Sequence, residues 1–187
     1  MRCRSSRLPS ATEDNYVPGP RIMRAITFDI ESISDSVVRG HVDVNEQELT
    51  VVAIHDSDTG EYSSYFREEL PKLWPILERA DVLIGFNSDA FDIPLLNRYY
   101  PGSLSNIRSL DLLAEVQKVL GRRIRLQSLA EATLGRGKKG DGLKAGVWWR
   151  EGKRDKVAEY CIEDVRLTRE LYDYALAHCV LKYKDLR

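Results

Sequence analysis

The sequence has 187 residues, of which 43% are hydrophobic, and a formal net charge of −1. This length suffices for one substantial core and is short for two ordinary domains, while no apolar run approaches the roughly 18 residues of a membrane span. We therefore expect one soluble globular domain that makes no membrane contact.

Residues 1–22 contain Arg, Ser, Pro and Gly without a hydrophobic period, a composition that predicts a flexible tail. A single domain is expected over residues 23–187, and an alternative start of the protein at Met23 is a hypothesis that N-terminal sequencing tests. The three cysteines lack CxxC spacing: they are Cys3, Cys161 and Cys179. An odd number of cysteines without such spacing favours a reducing, cytoplasmic location.

Hydrophobic periodicity predicts five strands and five helices along the chain. In chain order they are strands over residues 25–30, 50–55 and 62–66, a helix over 70–80, a strand over 81–85, a helix over 90–100, a strand over 107–110, and helices over 112–120, 127–134 and 153–177. A turn at residues 56–60 makes the second and third strands a hairpin. Strands first in a hairpin and then alternating with helices predict an α/β fold, a mixed β-sheet flanked by helices.

The first predicted strand ends in two acids, Asp29 and Glu31. Side chains alternate along a strand, so both carboxylates point to the same side of the sheet. Such a pair favours a bound cation, because burying two carboxylates without one is costly. A strand that ends in two solvated acids gives the same pattern, and Asp-x-Glu alone does not decide between these interpretations.

Asp92 follows the fourth predicted strand, at the end of the sequence Gly-Phe-Asn-Ser-Asp-Ala-Phe-Asp. Asn87, Ser88 or Asp89 is predicted to cap the next helix, which places Asp92 in its first turn at the tip of the sheet. The helix dipole also favours an acid at that position without any ligand.

Tyr160 and Asp164 are four residues apart in the predicted C-terminal helix and therefore project from one side of it. A neighbouring face that includes Cys161 is predicted to pack against the fold. A half-exposed tyrosine and a solvated aspartate have the same spacing, so this pair alone does not identify a site.

Positive charge is concentrated between Lys118 and Lys156, where twelve Lys and Arg residues stand against four acids, a net charge of +8. Such a segment binds a phosphate backbone or forms a solvated loop, and its charge alone favours neither. Trp148 and Trp149 in this segment are predicted either to stack on bases or to pack in the core.

In this order and on these elements, the three motifs resemble the tyrosine variant of the DEDD 3′-to-5′ exonucleases, a family with a ribonuclease-H-like fold. The matching residues are Asp29 and Glu31, then Asn87, Phe91 and Asp92, then Tyr160 and Asp164. The resemblance covers residues 24–176 and extends to the exonuclease domain of family B DNA polymerases and its small stand-alone relatives. Ser32 stands where threonine is frequent in the family.

This resemblance implies hydrolysis of phosphodiester bonds from a 3′ end, with release of nucleoside 5′-monophosphates, at a site with two Mg²⁺ or Mn²⁺ ions. Asp29, Glu31 and Asp164 would hold the ion that activates water, and Asp29 would bridge to the second ion. Asp92 would act directly or through ordered water. Tyr160 would orient the attacking water or help to deprotonate it.

Contacts with nucleic acid are predicted for a further set of residues: Asn87, Phe91, Arg136, Lys138, Lys139 and Lys144. Phe91 also fits a core position, and Asp111, where relatives often have an acid, fits equally well as the N-cap of the next helix. Closeness to polymerase exonuclease domains favours single-stranded DNA as substrate. An exoribonuclease and a non-catalytic nucleic-acid-binding scaffold of the same fold are the alternatives. Proofreading would require a polymerase or repair partner, which the sequence does not identify.

Overall fold

A computed structural model describes residues 23–34, 43–137 and 143–184 of the chain. The predicted tail at residues 1–22 lies outside the described residues, as do Lys138 and Lys139.

The strands of the described chain form one mixed sheet. They are β1 (Ala25–Ile33), β2 (Glu48–Asp56), β3 (Tyr62–Phe66), β4 (Val82–Gly85) and β5 (Arg108–Asp111). Their order across the sheet is β3-β2-β1-β4-β5. The pairs β1–β2 and β2–β3 are antiparallel, whereas β1–β4 and β4–β5 are parallel. The predicted hairpin and the predicted mixed sheet are therefore both confirmed.

Six α-helices flank this sheet in the described chain. They are α1 (Leu70–Leu77), α2 (Asp92–Asn97), α3 (Leu112–Leu120), α4 (Leu126–Leu134), α5 (Leu143–Arg150) and α6 (Arg154–His178). All except α5 were predicted, with bounds that differ by a few residues. Of these helices, none combines the length and the apolar character needed to cross a bilayer.

The alternation of side chains along β1 separates the two faces of the sheet. Ile26, Phe28 and Ile30 lie in one buried cluster with leucines of α1 and α2. On the other face, apolar residues of β2 pack against α6 in a second cluster that includes Val165 and Cys161. Asp29 contacts Cys161 on this second face, so α6 covers the side of β1 that bears the acids.

The end of β1 that bears the acids extends beyond its parallel neighbour. The pairing of β1 with β4 covers Ala25 to Thr27, so Asp29 lies past the end of that pairing. On the other side, the pairing with β2 shifts register between Glu31 and Ser32. The residue left out of this register is Thr50 of β2, and an extra residue of this kind bends the strand that contains it.

The predicted cap of α2 is wrong. The N-cap residue is Phe91, which makes no side-chain cap hydrogen bond. The Asn87 side chain accepts a hydrogen bond from Arg123, and the Asp89 carboxylate accepts one from Ser109. These polar side chains therefore accept hydrogen bonds from residues distant in sequence instead of capping α2. The local sequence pattern does not reveal such distant partners.

Candidate metal centre

Three carboxylates converge where α6 crosses the end of β1. Each of Asp29, Glu31 and Asp164 offers an oxygen atom, and these atoms lie within 4.8 Å of one another. The side chain of Asp164 is buried, and the two residues from β1 are half-buried. The donor set suits Mg²⁺ or Mn²⁺, because hard divalent cations prefer carboxylate oxygens.

Asp92 lies beside this group of three carboxylates rather than within it. It begins α2 and is 4% exposed. Burial raises the pKa of its carboxyl to about 7, against hydrogen bonds from its own N–H and from that of Ile30, which favour the charged form. Repulsion from Asp111 and Asp164 raises the pKa further, so Asp92 senses the charge of one of the three carboxylates.

Tyr160 is held one helical turn before Asp164 on α6. It is 8% exposed, and its ring meets that of Trp148 edge to face, with centroids 6.2 Å apart. Because Trp148 belongs to α5, that helix packs against the tyrosine. Tyr160 and Asp164 are thus more deeply buried than their sequence pattern alone required.

Asp111 is the N-cap of α3 and also binds the loop that follows β4. Its Oδ1 accepts hydrogen bonds from the N–H groups of Leu113 at 2.9 Å and Ala114 at 3.3 Å. The same carboxylate accepts from the N–H groups of Asn87 at 2.7 Å and Asp89 at 3.3 Å. The capping interpretation is confirmed, and this one side chain also ties two segments together at the carboxyl edge of the sheet.

Asn87 has a backbone conformation that few residues other than glycine adopt, with φ at +70°. It lies two residues after Gly85. A Cβ added to Gly85 would lie 2.4 Å from both Cβ and Oγ of Ser88. The loop therefore approaches the end of β4 more closely than a side chain would allow. This close approach brings the chain sharply from β4 towards Asp92.

The other residues predicted to contact nucleic acid are dispersed. Phe91 is half-buried and packs against the cluster beneath α1 and α2, which agrees with a core position. Arg136 forms ion pairs with Glu163, at 2.9 Å, and with Glu170, so acids of α6 offset its charge. Lys144 is exposed on α5.

The two tryptophans of α5 are half-buried against the fold. Trp149 lies near Phe66, with ring centroids 6.3 Å apart, and the Arg154 guanidinium lies 4.8 Å from the Trp149 ring centroid. Together with the contact between Trp148 and Tyr160, this arrangement supports the packing interpretation of both tryptophans.

Sequence reasoning missed two contacts at this site. Sγ of Cys161 donates to the carbonyl oxygen of Asp29 at 3.3 Å and lies 3.6 Å from its Oδ2. The helical spacing of Cys161 predicted its packing but not this contact. Arg123 donates to Oδ1 of Asn87, 36 residues away in sequence, and no local signal announces that pair.

Comparison with known proteins reveals similarity over most of the chain. A model of the RNase H superfamily matches residues 26–176. DNA polymerase 1 of Aeropyrum pernix is 30% identical over 204 aligned positions, which cover 91% of this chain and 19% of that protein. The family B DNA polymerase of Pyrobaculum calidifontis matches in structure with a TM-score of 0.65 and 21% identity, covering 84% of this chain and 25% of that one. The chain thus spans a quarter or less of each polymerase.

Proposed function

Since the chain belongs to the RNase H superfamily, we propose that it is a metal-dependent exonuclease that shortens single-stranded DNA from its 3′ end. The observation that supports this proposal most directly is the convergence of Asp29, Glu31 and Asp164 within 4.8 Å. By analogy with the DNA polymerases to which the chain is similar, we favour DNA over RNA as the substrate.

Asp29, Glu31 and Asp164 would hold two Mg²⁺ or Mn²⁺ ions, with Asp92 in direct or water-mediated contact. The chemistry supplied by such ions is activation of water and stabilisation of the charge on the departing 3′ oxygen. The shared location of all four acids at the carboxyl edge of the sheet supports this assignment.

The chain's own residues would position the reacting groups. The Tyr160 phenol would hydrogen bond with the attacking water and orient it towards the phosphorus atom. Trp148 restricts the tyrosine ring, which supports a role that depends on orientation. The bond between phosphorus and the 3′ oxygen would break, leaving a nucleoside 5′-monophosphate and a strand shorter by one residue.

The decisive experiment is a nuclease assay on 5′-labelled single-stranded DNA and RNA of one sequence, with Mg²⁺, Mn²⁺ or EDTA. We expect a metal-dependent ladder on DNA that shortens from the 3′ end and is absent for Asp29→Asn and Asp164→Asn. Glu159→Gln is the matched control, because Glu159 is an exposed acid next to Tyr160 on α6. A phosphorothioate at the 3′-terminal linkage should slow the appearance of the ladder.

A second readout separates metal binding from turnover. Mn²⁺ should raise the melting temperature of the wild type and of Glu159→Gln, but not that of Asp29→Asn. Cleavage of RNA but not of DNA would identify RNA as the substrate in place of DNA. Retained binding without cleavage of either strand would favour the scaffold.

A further inference from the structure

The loop between α3 and α4 brings an arginine to the loop that precedes Asp92. Arg123 is exposed, and its guanidinium donates a hydrogen bond to the side-chain oxygen of Asn87. Asn87 lies two residues after β4, at the edge of the sheet where Asp29 and Glu31 also lie. Arg123 is thereby directed to this edge, although no motif in the sequence distinguished it from the other basic residues.

Backbone hydrogen bonds fix Asn87, the residue that binds Arg123. The N–H of Asn87 donates to Asp111 at 2.7 Å, and the carbonyl oxygen of Asn87 accepts from the N–H of Phe91 at 3.2 Å. Asp111 in turn caps α3, the helix that leads directly into the loop of Arg123. Hydrogen bonds thus fix the asparagine from both sides, and its carboxamide restricts the guanidinium before any ligand arrives.

The partner of Arg123 differs from those of three arginines in the described chain that are paired with acids. Arg136 contacts Glu163 and Glu170, Arg154 contacts Glu68, and Arg24 contacts Asp56. The observed partner of Arg123 is a neutral amide, which orients the guanidinium without cancelling its charge. A guanidinium has five N–H donors, so one bond to Asn87 leaves donors that face solvent.

We infer that Arg123 is a phosphate-binding residue for the nucleic-acid strand at this site, an inference that rests on the proposed function. The planar guanidinium matches two oxygens of a phosphodiester group, and its charge attracts the backbone whatever the base sequence. Asn87 holds the guanidinium at the edge of the sheet that bears the candidate metal ligands.

Binding without cleavage tests the inference. Fluorescence anisotropy with a labelled single-stranded DNA oligonucleotide in EDTA measures affinity over a range of salt concentrations. Arg123→Ala should weaken binding about two- to fivefold, as expected for an exposed charge pair. It should also reduce the slope of log affinity against log salt by about 0.7, the contribution of one phosphate contact. Arg123→Lys, which keeps the charge, should retain most of that slope.

Arg79→Ala is the matched control, since Arg79 is an exposed arginine beyond the end of α1, just before β4 begins at the opposite edge of the sheet. It should bind like the wild type, and far-ultraviolet circular dichroism verifies that each variant is folded. If Arg123→Ala retains the wild-type affinity and slope, the assignment of Arg123 is overturned while the proposed function stands. If the wild type binds no oligonucleotide, this inference is overturned, and the nuclease assay with Mg²⁺ or Mn²⁺ decides the proposed function separately.

Discussion

Sγ of Cys161 lies 3.3 Å from the carbonyl oxygen of Asp29 and 3.6 Å from its carboxylate Oδ2, so α6 contacts the candidate metal site through a sulfur atom. The cysteine is fully buried. Burial, and then the carboxylates of Asp29, Glu31 and Asp164, raise the pKa of its thiol well above the usual value. The neutral thiol is therefore the form that donates to Asp29.

This contact predicts unequal reactivity of two cysteines. In a Cys3→Ser background, dithionitrobenzoate should modify Cys179 rapidly, because it is exposed, and Cys161 only after unfolding. Absorbance gives the number of reacted thiols, and mass spectrometry of the peptides identifies them. Rapid modification of Cys161 in the folded protein would contradict the packing of α6 on β1.

Tyr160→Phe should lower kcat by on the order of 10², because the phenol would no longer orient or deprotonate water. The ring is retained, so its packing against Trp148 and the melting temperature should change little. Single-turnover cleavage of labelled DNA measures the chemical step, and anisotropy measures binding separately. Unchanged turnover would restrict Tyr160 to a packing role.

Asp111→Ala should lower the free energy of unfolding by about 2 kcal/mol, because one cap is lost and N–H groups of two segments lose their acceptor. Asp111→Asn retains one oxygen acceptor and should cost less. Asp43→Ala is the control, since Asp43 caps an exposed 3₁₀ turn by accepting from Asn45 at 2.9 Å. Urea denaturation compares the three variants, and equal losses for Asp111 and Asp43 would contradict the double role of Asp111.

The ion pair of Arg24 and Asp56 should make stability depend on pH. The pair is largely buried, with side-chain exposures of 12% and 10%, and the Arg24 hydrogen bond lowers the pKa of Asp56. The carboxylate therefore contributes stability above the unfolded-state pKa of about 3.9, and this contribution is lost as pH falls through the lower folded-state pKa. Arg24→Gln should lower the free energy of unfolding by about 3 kcal/mol at pH 7 and by less below pH 4.

Urea unfolding of the wild type and Arg24→Gln between pH 7 and pH 3 measures this difference. Arg67→Gln is the control, because the pair of Arg67 with Glu48 is exposed and contributes little. A gap between wild type and Arg24→Gln that does not narrow in acid would rule out Asp56 as the group responsible.

Much of the fold could be predicted because the relevant patterns are local. The alternation of β1 and the helical spacing of α6 predicted both elements and the shared side of Asp29 and Glu31. Helix α5 was not predicted, since its eight residues include two tryptophans and a glycine and lack a clear apolar stripe. Packing of Trp148 and Trp149 against α6 and β3 stabilises it, and most helical stability in proteins has this tertiary origin.

The sequence by itself determined which carboxylates are present and the order of the motifs. It also determined the strand and the helix that bear them, because the side-chain period along one element predicts that element. Only the tertiary structure decided that Asp164 meets Asp29 and Glu31 and that Asp111 holds Asn87. It also decided that Arg136 pairs with Glu163 while Arg123 binds the amide of Asn87. Such contacts join residues far apart in the chain. The packing of α6 on β1 and the parallel alignment of β1, β4 and β5 produce them, and no local period records either.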